Sequence, residues 1–145
     1  VAAAAVRAHE DSVNTATRAV ETARARTVLE TRVFFGQNQF TLSAGDQTAL
    51  DEKLRVLKAN PDVRLRVEGN VDERETGAYN RLLGRFRAEQ ARSYLVARGI
   101  AVTRIDIVDN GARRPVCTQH RESCWSRNRR DEFLIIAGGG QMRMP

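Results

Sequence analysis

Asp72 and Arg87 are the two side chains whose types and spacing most suggest a binding site. Asp72 follows the alternating segment 63–67 by a few residues, and Arg87 lies in the helical pattern that comes next. Side chains just past a strand end project beyond the sheet, so a helix packed beside its own leading loop would bring this anion and this cation to one shallow pocket. Arg87 offers a planar fork for a carboxylate, and Asn80, in the first turn of that helix, can both donate and accept. The trio fits a zwitterionic ligand.

A structural salt bridge between Asp72 and Arg87 is the alternative, and on spacing alone it is favoured over a ligand site. Catalysis has less support, because the only histidines, His9 and His120, fall in the N-terminal segment and in the cysteine loop. No Ser-His-Asp or HExxH pattern and no phosphate-binding glycine loop occurs in the sequence. The sequence therefore predicts no enzyme and no cofactor. The loop's other acids, among them Glu75, are interpreted as scaffold or solvent-facing residues.

The hydrophobic pattern predicts the elements that position these residues. Val63, Leu65 and Val67 alternate with arginines, which is typical of a half-buried strand. Ser43 with Asp46 three residues later indicates a helix start, and Pro61 indicates its end near residue 59. The full prediction is strands at 33–35, 63–67, 104–108 and 132–136, with helices at 43–59 and 76–98. This β-α-β-α-β-β order is an α+β class, a small mixed sheet with two helices on one face.

Composition limits the remaining possibilities. The 145 residues suffice for one domain, and no apolar run is long enough to span a membrane. The net charge of +6 comes almost wholly from arginines, which are interleaved with acids, so nucleic-acid binding is disfavoured. Residues 1–30 are predicted as a helical linker, residues 31–137 as the domain and residues 138–145 as a disordered tail.

Cys117 and Cys124 are the only cysteines, with six residues between them. A disulfide there would stabilise the fold by about 2–3 kcal/mol on loop-entropy grounds, and this is the favoured interpretation. A metal site that uses Cys117, His120 and Cys124 would have only three ligands at irregular spacing, so no metal is predicted. Free thiols are the remaining alternative.

The segments DERETGAYN, LLGRFRAEQARSYLVARGI, RIDIVDNGARRPV and NRR, in this order, resemble the OmpA-like peptidoglycan-binding domain. The resemblance covers residues 31–137 and is closest to the peptidoglycan-associated lipoproteins. It implies an OmpA-like sandwich that binds the meso-diaminopimelate of peptidoglycan stem peptides in the periplasm, associated with the cell wall or outer membrane. It also supports oxidation of the two cysteines. A membrane anchor, if there is one, is expected upstream of Val1.

The resemblance also assigns residues to the site, and it reverses the preference for a plain salt bridge. Asp72 and Arg87 occupy the positions that hold the zwitterionic diaminopimelate side chain in the family. The remaining ligand-binding residues that it implies are Asn80, Leu83 and Arg129, and the supporting residues are Asn70, Tyr79, Asn128, Gly36 and Gln37.

Two segments depart from the family pattern. Asn70 replaces a usual histidine, and Phe35-Gly36-Gln37-Asn38 replaces an acidic, aromatic run. These departures keep a second function open, a structural or protein-interaction module of an envelope assembly with weakened peptidoglycan binding. That module would be Tol-Pal-like, with a periplasmic propeller protein of the Tol type as partner, or flagellar-stator-like.

Overall fold

The computed structural model describes residues 2–145, which form four helices and one four-stranded sheet. The helices are α1 (Ala2–Glu30), α2 (Ala44–Ala59), α3 (Leu83–Ala97) and α4 (Glu122–Asn128). The strands are β1 (Val33–Phe34), β2 (Arg64–Asn70), β3 (Ile105–Gly111) and β4 (Arg130–Ala137). Short 3-10 turns at Ala78–Asn80 and Val102–Arg104 precede α3 and β3. Within these residues, none of the helices has the length and apolarity that crossing a bilayer requires.

The sheet has the order β1-β4-β2-β3, and it is mixed. Strand β2 pairs in parallel with β3 and antiparallel with β4, while β1 pairs antiparallel with β4. The α+β class and the predicted order of strands and helices are therefore confirmed, with α1 where a helical segment was predicted and with α4 added. Strand β2 is an inner strand, so the loop that follows it lies in the middle of the sheet edge formed by the carboxyl ends of β1, β2 and β3.

Helix α2 begins and ends where its sequence predicts. The Ser43 hydroxyl accepts from the amide of Asp46, and the Asp46 carboxylate accepts from the amide of Ser43, which is a complete capping box. The helix ends at Ala59, two residues before Pro61. This fixed length holds the β1–α2 loop beside the loop that follows β2.

Helix α3 begins at Leu83, and the predicted start at Thr76 was wrong. Residues 76–82 instead form a bend and turns that include the 3-10 turn at Ala78–Asn80. The first turn of α3 lies directly on β2, since Gly69 and Gly84 both lack a side chain. A Cβ on Gly69 would stand 1.7 Å from the carbonyl oxygen of Gly84. This contact brings the first turns of α3, and with them Arg87, to the end of β2.

The C-terminal part of α1 and the chain terminus both contribute to the core. Ala25, Leu29 and Met142 are fully buried in the same cluster as the sheet residues. The amide of Met142 donates to the hydroxyl of Thr22 at 3.0 Å, and the amide of Arg143 donates to a side chain of α2's cap. The predicted disorder of residues 138–145 is thus at odds with the structure, because the Met142 side chain packs in the apolar core.

The buried side chain of Lys53, on α2, contacts the C-terminal end of α1. Its ammonium group is buried and donates to the carbonyls of Val28, Leu29 and Thr31, at the C-terminal end of α1. It also lies 4.3 Å from the centre of the Phe133 ring. Burial lowers the pKa of Lys53 to about 7. The side chain therefore caps a helix whose last carbonyls would otherwise be unpaired.

The segment between β3 and β4 holds a disulfide and a short helix. The disulfide was the favoured prediction, whereas the sequence pattern did not predict the helix. Cys117 and Cys124 are bonded, with their Cα atoms 5.2 Å apart, as the favoured interpretation expected. The Asn128 side chain accepts from the amides of Val116 and Cys117 and donates to the Cys117 carbonyl. Asn128 therefore fixes this loop to the start of β4.

Candidate functional site

Arg87 is fully buried beneath the loop that follows β2. Its Nε donates to the carbonyl of Gln39 at 2.8 Å, and its two terminal nitrogens donate to the carbonyls of Asn70 and Gly36 at 2.9 and 3.1 Å. Its two remaining N–H groups donate to both oxygens of Glu75, at 2.8 and 2.6 Å. An arginine has five N–H donors, so every donor of Arg87 has an acceptor within the protein.

The partner of Arg87 is thus Glu75, which the sequence analysis interpreted as a scaffold or solvent-facing residue. Glu75 is fully buried. Besides the fork of Arg87, its carboxylate accepts from the amides of Asp72 and Asn38, at 2.8 and 2.6 Å. Asn38 has a φ of 59°, a left-handed conformation that asparagine tolerates well. Glu75 therefore joins the β1–α2 loop, the β2–α3 loop and α3 in one cluster.

Asp72 is also fully buried, and it is paired with arginines other than Arg87. One carboxylate oxygen accepts from the amide of Arg74 at 2.8 Å, and the other accepts from the side chains of Arg74 and Arg129, both at 3.2 Å. The structural salt bridge that spacing favoured, between Asp72 and Arg87, is replaced by two pairs. Glu75 connects the two pairs, because one of its oxygens accepts from both the Asp72 amide and Arg87.

Arg129 extends this network to the surface. Its Nε donates to the carbonyl of Phe35, and its terminal nitrogens contact Asp72 and Glu122. The hydrogen bond from Arg129 lowers the pKa of the Glu122 carboxyl. The pKa of Arg129 is raised: burial opposes its charge, but the hydrogen bonds to Glu122 and Asp72 outweigh that effect. Arg129 therefore stays a cation beside Asp72.

The structure brings most of the predicted residues to this edge of the sheet. Asn80 donates to the side chain of Asn38 at 2.9 Å, and Leu83 is buried. Asn70 is buried and donates to the carbonyls of Glu68 and Arg130. By contrast, the side chain of Tyr79 is fully exposed and that of Gln37 lies on the surface, so neither contributes to this cluster.

A further buried acid, Asp131, lies on β4 opposite Gly69 and Val33. Among residues 2–145, neither of its carboxylate oxygens has a hydrogen-bond partner. Burial raises the pKa of Asp131 well above its ordinary value, although the positive charge of Arg87 opposes this. Burial thus disfavours the charged form of Asp131, and Glu75 is the carboxylate that pairs with Arg87.

The part of the chain that the structure describes has no candidate metal-binding site. No group of three or more His, Cys, Asp or Glu side chains is placed to hold a metal ion there. The acids of the site instead accept hydrogen bonds from arginines and backbone amides, which are donors suited to carboxylates. The arrangement can accept an ammonium group at Asp72 and a carboxylate at Arg87, provided that Arg74 and Glu75 move aside.

Sequence reasoning missed Glu75, Arg74 and Glu122 as members of this cluster. The four acids from Glu68 to Glu75 look alike in sequence, and only the structure shows that Glu75 is the one that pairs with Arg87. A usable signal was the buried arginine itself, because a buried guanidinium needs a carboxylate partner.

The fold is a small α+β domain, and the charged cluster at one sheet edge is its candidate recognition site. Residues 34–129 match the OmpA family, and the chain belongs to that family. It is 37% identical over 109 residues to a peptidoglycan-associated lipoprotein of Rhizobium meliloti (strain 1021), covering 75% of this chain and 61% of that protein. The chain thus spans less than two thirds of that relative's length.

Solved structures agree with this assignment. The peptidoglycan-associated lipoprotein of Burkholderia pseudomallei superimposes with a TM-score of 0.68 at 32% identity, over 72% of this chain and 88% of that one. The C-terminal domain of Helicobacter pylori MotB shares the fold, with a TM-score of 0.66 at 16% identity, over 72% and 83% of the two chains. None of these names denotes an enzyme, in agreement with the sequence prediction.

Proposed function

We propose that this domain binds peptidoglycan noncovalently and anchors an envelope protein or the outer membrane to the cell wall. Membership of the OmpA family and similarity to peptidoglycan-associated lipoproteins support this function. The observation that carries it is the meeting of two oppositely charged buried groups, Asp72 and Arg87, around one loop at a sheet edge. The domain would then act in the periplasm, at the wall or the outer membrane.

The ligand proposed for the site is the meso-diaminopimelate side chain of the stem peptide, which is a zwitterion. Its ammonium would donate to Asp72 in place of Arg74, whose side chain is 29% exposed and also contacts Glu122 and the Trp125 ring. Its carboxylate would pair with the fork of Arg87. Asn80 and Arg129 would complete the hydrogen bonds, and Leu83 would pack against the methylene chain.

Co-sedimentation with peptidoglycan of the diaminopimelate type tests this function. The parent domain is expected to sediment with the sacculi, and the Asp72→Ala and Arg87→Ala variants are expected to stay in solution. Arg85→Ala is the matched control, because Arg85 lies on the same helix with its side chain 58% exposed. Folding of each variant is checked by circular dichroism. A folded double variant that sediments as well as the parent would refute the site.

A structural or protein-interaction module of an envelope assembly is the second candidate. One observation favours it: every donor of Arg87 is already used, and Asp72 has no exposed surface. Its partner would be a periplasmic protein, such as a propeller protein of the Tol type. Crosslinking in intact cells separates the candidates, because protein adducts without stem-peptide adducts would favour this one.

A further inference from the structure

The Glu75 carboxylate lies in a receptor that fits any carboxylate. Four donors surround it: the two terminal nitrogens of Arg87 and the backbone amides of Asp72 and Asn38, all between 2.6 and 2.8 Å. Each oxygen accepts one guanidinium N–H and one amide N–H. Two parallel guanidinium bonds combined with backbone donors are a strong arrangement for carboxylate binding.

Glu75 belongs to a loop that can release it. The neighbouring residues Glu73, Arg74, Thr76 and Gly77 are exposed and contribute nothing to the apolar core. A short-range backbone bond holds the loop at this point, from the Glu75 amide to the Asp72 carbonyl at 3.0 Å, and Glu73 and Arg74 contact Trp125. Arg87, by contrast, is fixed on α3 by three carbonyls. Arg87 is therefore the fixed part of the receptor, whereas Glu75 is on a surface loop.

We propose that Glu75 is an internal competitor that sets the affinity and specificity of this site for carboxylate ligands. Without a ligand, Glu75 occupies the receptor. A ligand carboxylate must displace Glu75 to reach Arg87 and the two amides. The identity of that ligand, the diaminopimelate carboxylate, rests on the function proposed above. Occupation of the receptor by Glu75 rests on the geometry alone.

The charges explain why a competitor is needed and why it can be exchanged. Without Glu75, Arg87 would be a buried cation without its carboxylate partner, and an unpaired buried charge is strongly destabilising. A ligand carboxylate restores the same charge and the same four hydrogen bonds. Because a tethered group has a high effective concentration, Glu75 weakens the binding of any free carboxylate relative to an empty receptor.

Chemical rescue tests the occupancy directly. Glu75→Ala empties the receptor, and its melting temperature is expected to rise in sodium acetate relative to sodium chloride of equal ionic strength. Acetamide, which has acetate's shape without its charge, is expected to give no such rise. The parent and Glu89→Ala, which breaks an exposed pair on the same helix, are expected to melt alike in both salts.

Ligand binding tests the competition. Soluble meso-diaminopimelate and diaminopimelate-type sacculi are expected to bind Glu75→Ala at least about tenfold more tightly than the parent, with Glu89→Ala unchanged. If Glu75→Ala does not fold, Glu75→Gln keeps the side-chain volume and removes the charge, and the same tighter binding is expected. A variant that binds no more tightly than the parent, with no acetate-specific stabilisation, overturns the proposal.

The two proposals fail in distinguishable ways. If the parent binds sacculi through Asp72 and neither Glu75 variant binds more tightly, the proposed function stands and the competitor role is wrong. If no variant binds sacculi but acetate selectively stabilises Glu75→Ala, peptidoglycan binding is wrong and the occupied receptor stands.

Discussion

Arg87 and Lys53 are both buried cations, and the molecule neutralises them in different ways. Arg87 faces a carboxylate from a surface loop, together with three carbonyls. Lys53 faces only the carbonyls at the end of α1 and an aromatic ring. Backbone carbonyls of a helix end cannot be exchanged for a ligand, whereas a loop carboxylate can. The comparison therefore assigns Lys53 to the fold, whereas Arg87 is the cation that the proposed function uses for recognition.

Removing Arg87 is expected to have the largest effect. Arg87→Ala leaves Glu75 as a buried unpaired charge, which costs about 3–5 kcal/mol in the free energy of unfolding. Urea unfolding measures this loss. Arg85→Ala, on the same helix, is expected to cost less than about 1 kcal/mol, because its salt bridge with Glu89 is exposed. Equal losses for the two variants would contradict the buried pair.

Replacing both partners sharpens the same point. Arg87→Met combined with Glu75→Leu removes both charges and fills the space with apolar side chains, so much of the lost stability is expected to return. Peptidoglycan co-sedimentation is expected to stay lost, because no cation remains for the ligand. A double variant that still sediments would show that Arg87 serves only the fold.

Lys53→Met is expected to have a smaller effect on stability and none on binding. The variant keeps the chain volume but leaves the last carbonyls of α1 without their donor, at a cost of about 1–2 kcal/mol near neutral pH. The folded pKa of about 7 lies below the ordinary lysine pKa of 10.5, so the unfolded chain binds more protons between these two values. Stability of the parent is therefore expected to rise with pH over that window, and the contribution is lost as pH falls through 7. Lys53→Met removes this rise in urea unfolding.

The smallest expected effect is a gain at Asp131. The folded pKa of Asp131 is raised, so its contribution to stability is present below pH 3.8 and is lost as pH rises through the folded value. Asp131→Asn keeps the shape, cannot ionise and is expected to stabilise the domain by about 1 kcal/mol above neutral pH. Asp106→Asn, at an exposed position on β3, is the control. A variant as pH-dependent as the parent would contradict the assignment.

Local patterns predicted the parts of the fold that local physics determines. Ser43 and Asp46 satisfy each other within one turn, and residues 63–67 alternate, so both elements were predicted close to their observed bounds. The start of α3 was not, because its position depends on the approach of Gly69 to Gly84. Helix α4 has only seven residues, held by a disulfide, and such an element leaves little hydrophobic periodicity.

Several residues of the site were predictable from the sequence, but the pairing of its acids with its arginines was not. The family resemblance supplied Asp72, Arg87 and Arg129, and the structure brings these residues to one sheet edge. Which acid meets which arginine depends on how the loop folds over α3, and sequence spacing does not encode that. Glu75 is the clearest case, because nothing in its type or position distinguishes it from Glu73, which lies on the surface.

The most direct test of the site is a titration of the isotopically labelled domain with meso-diaminopimelate, followed by nuclear magnetic resonance. Three signals report on the receptor: the terminal guanidinium N–H groups of Arg87 and the backbone amides of Asp72 and Asn38. We predict that all three shift together with one dissociation constant, because the ligand carboxylate takes the place of Glu75. Binding that leaves these three signals unmoved would contradict the account.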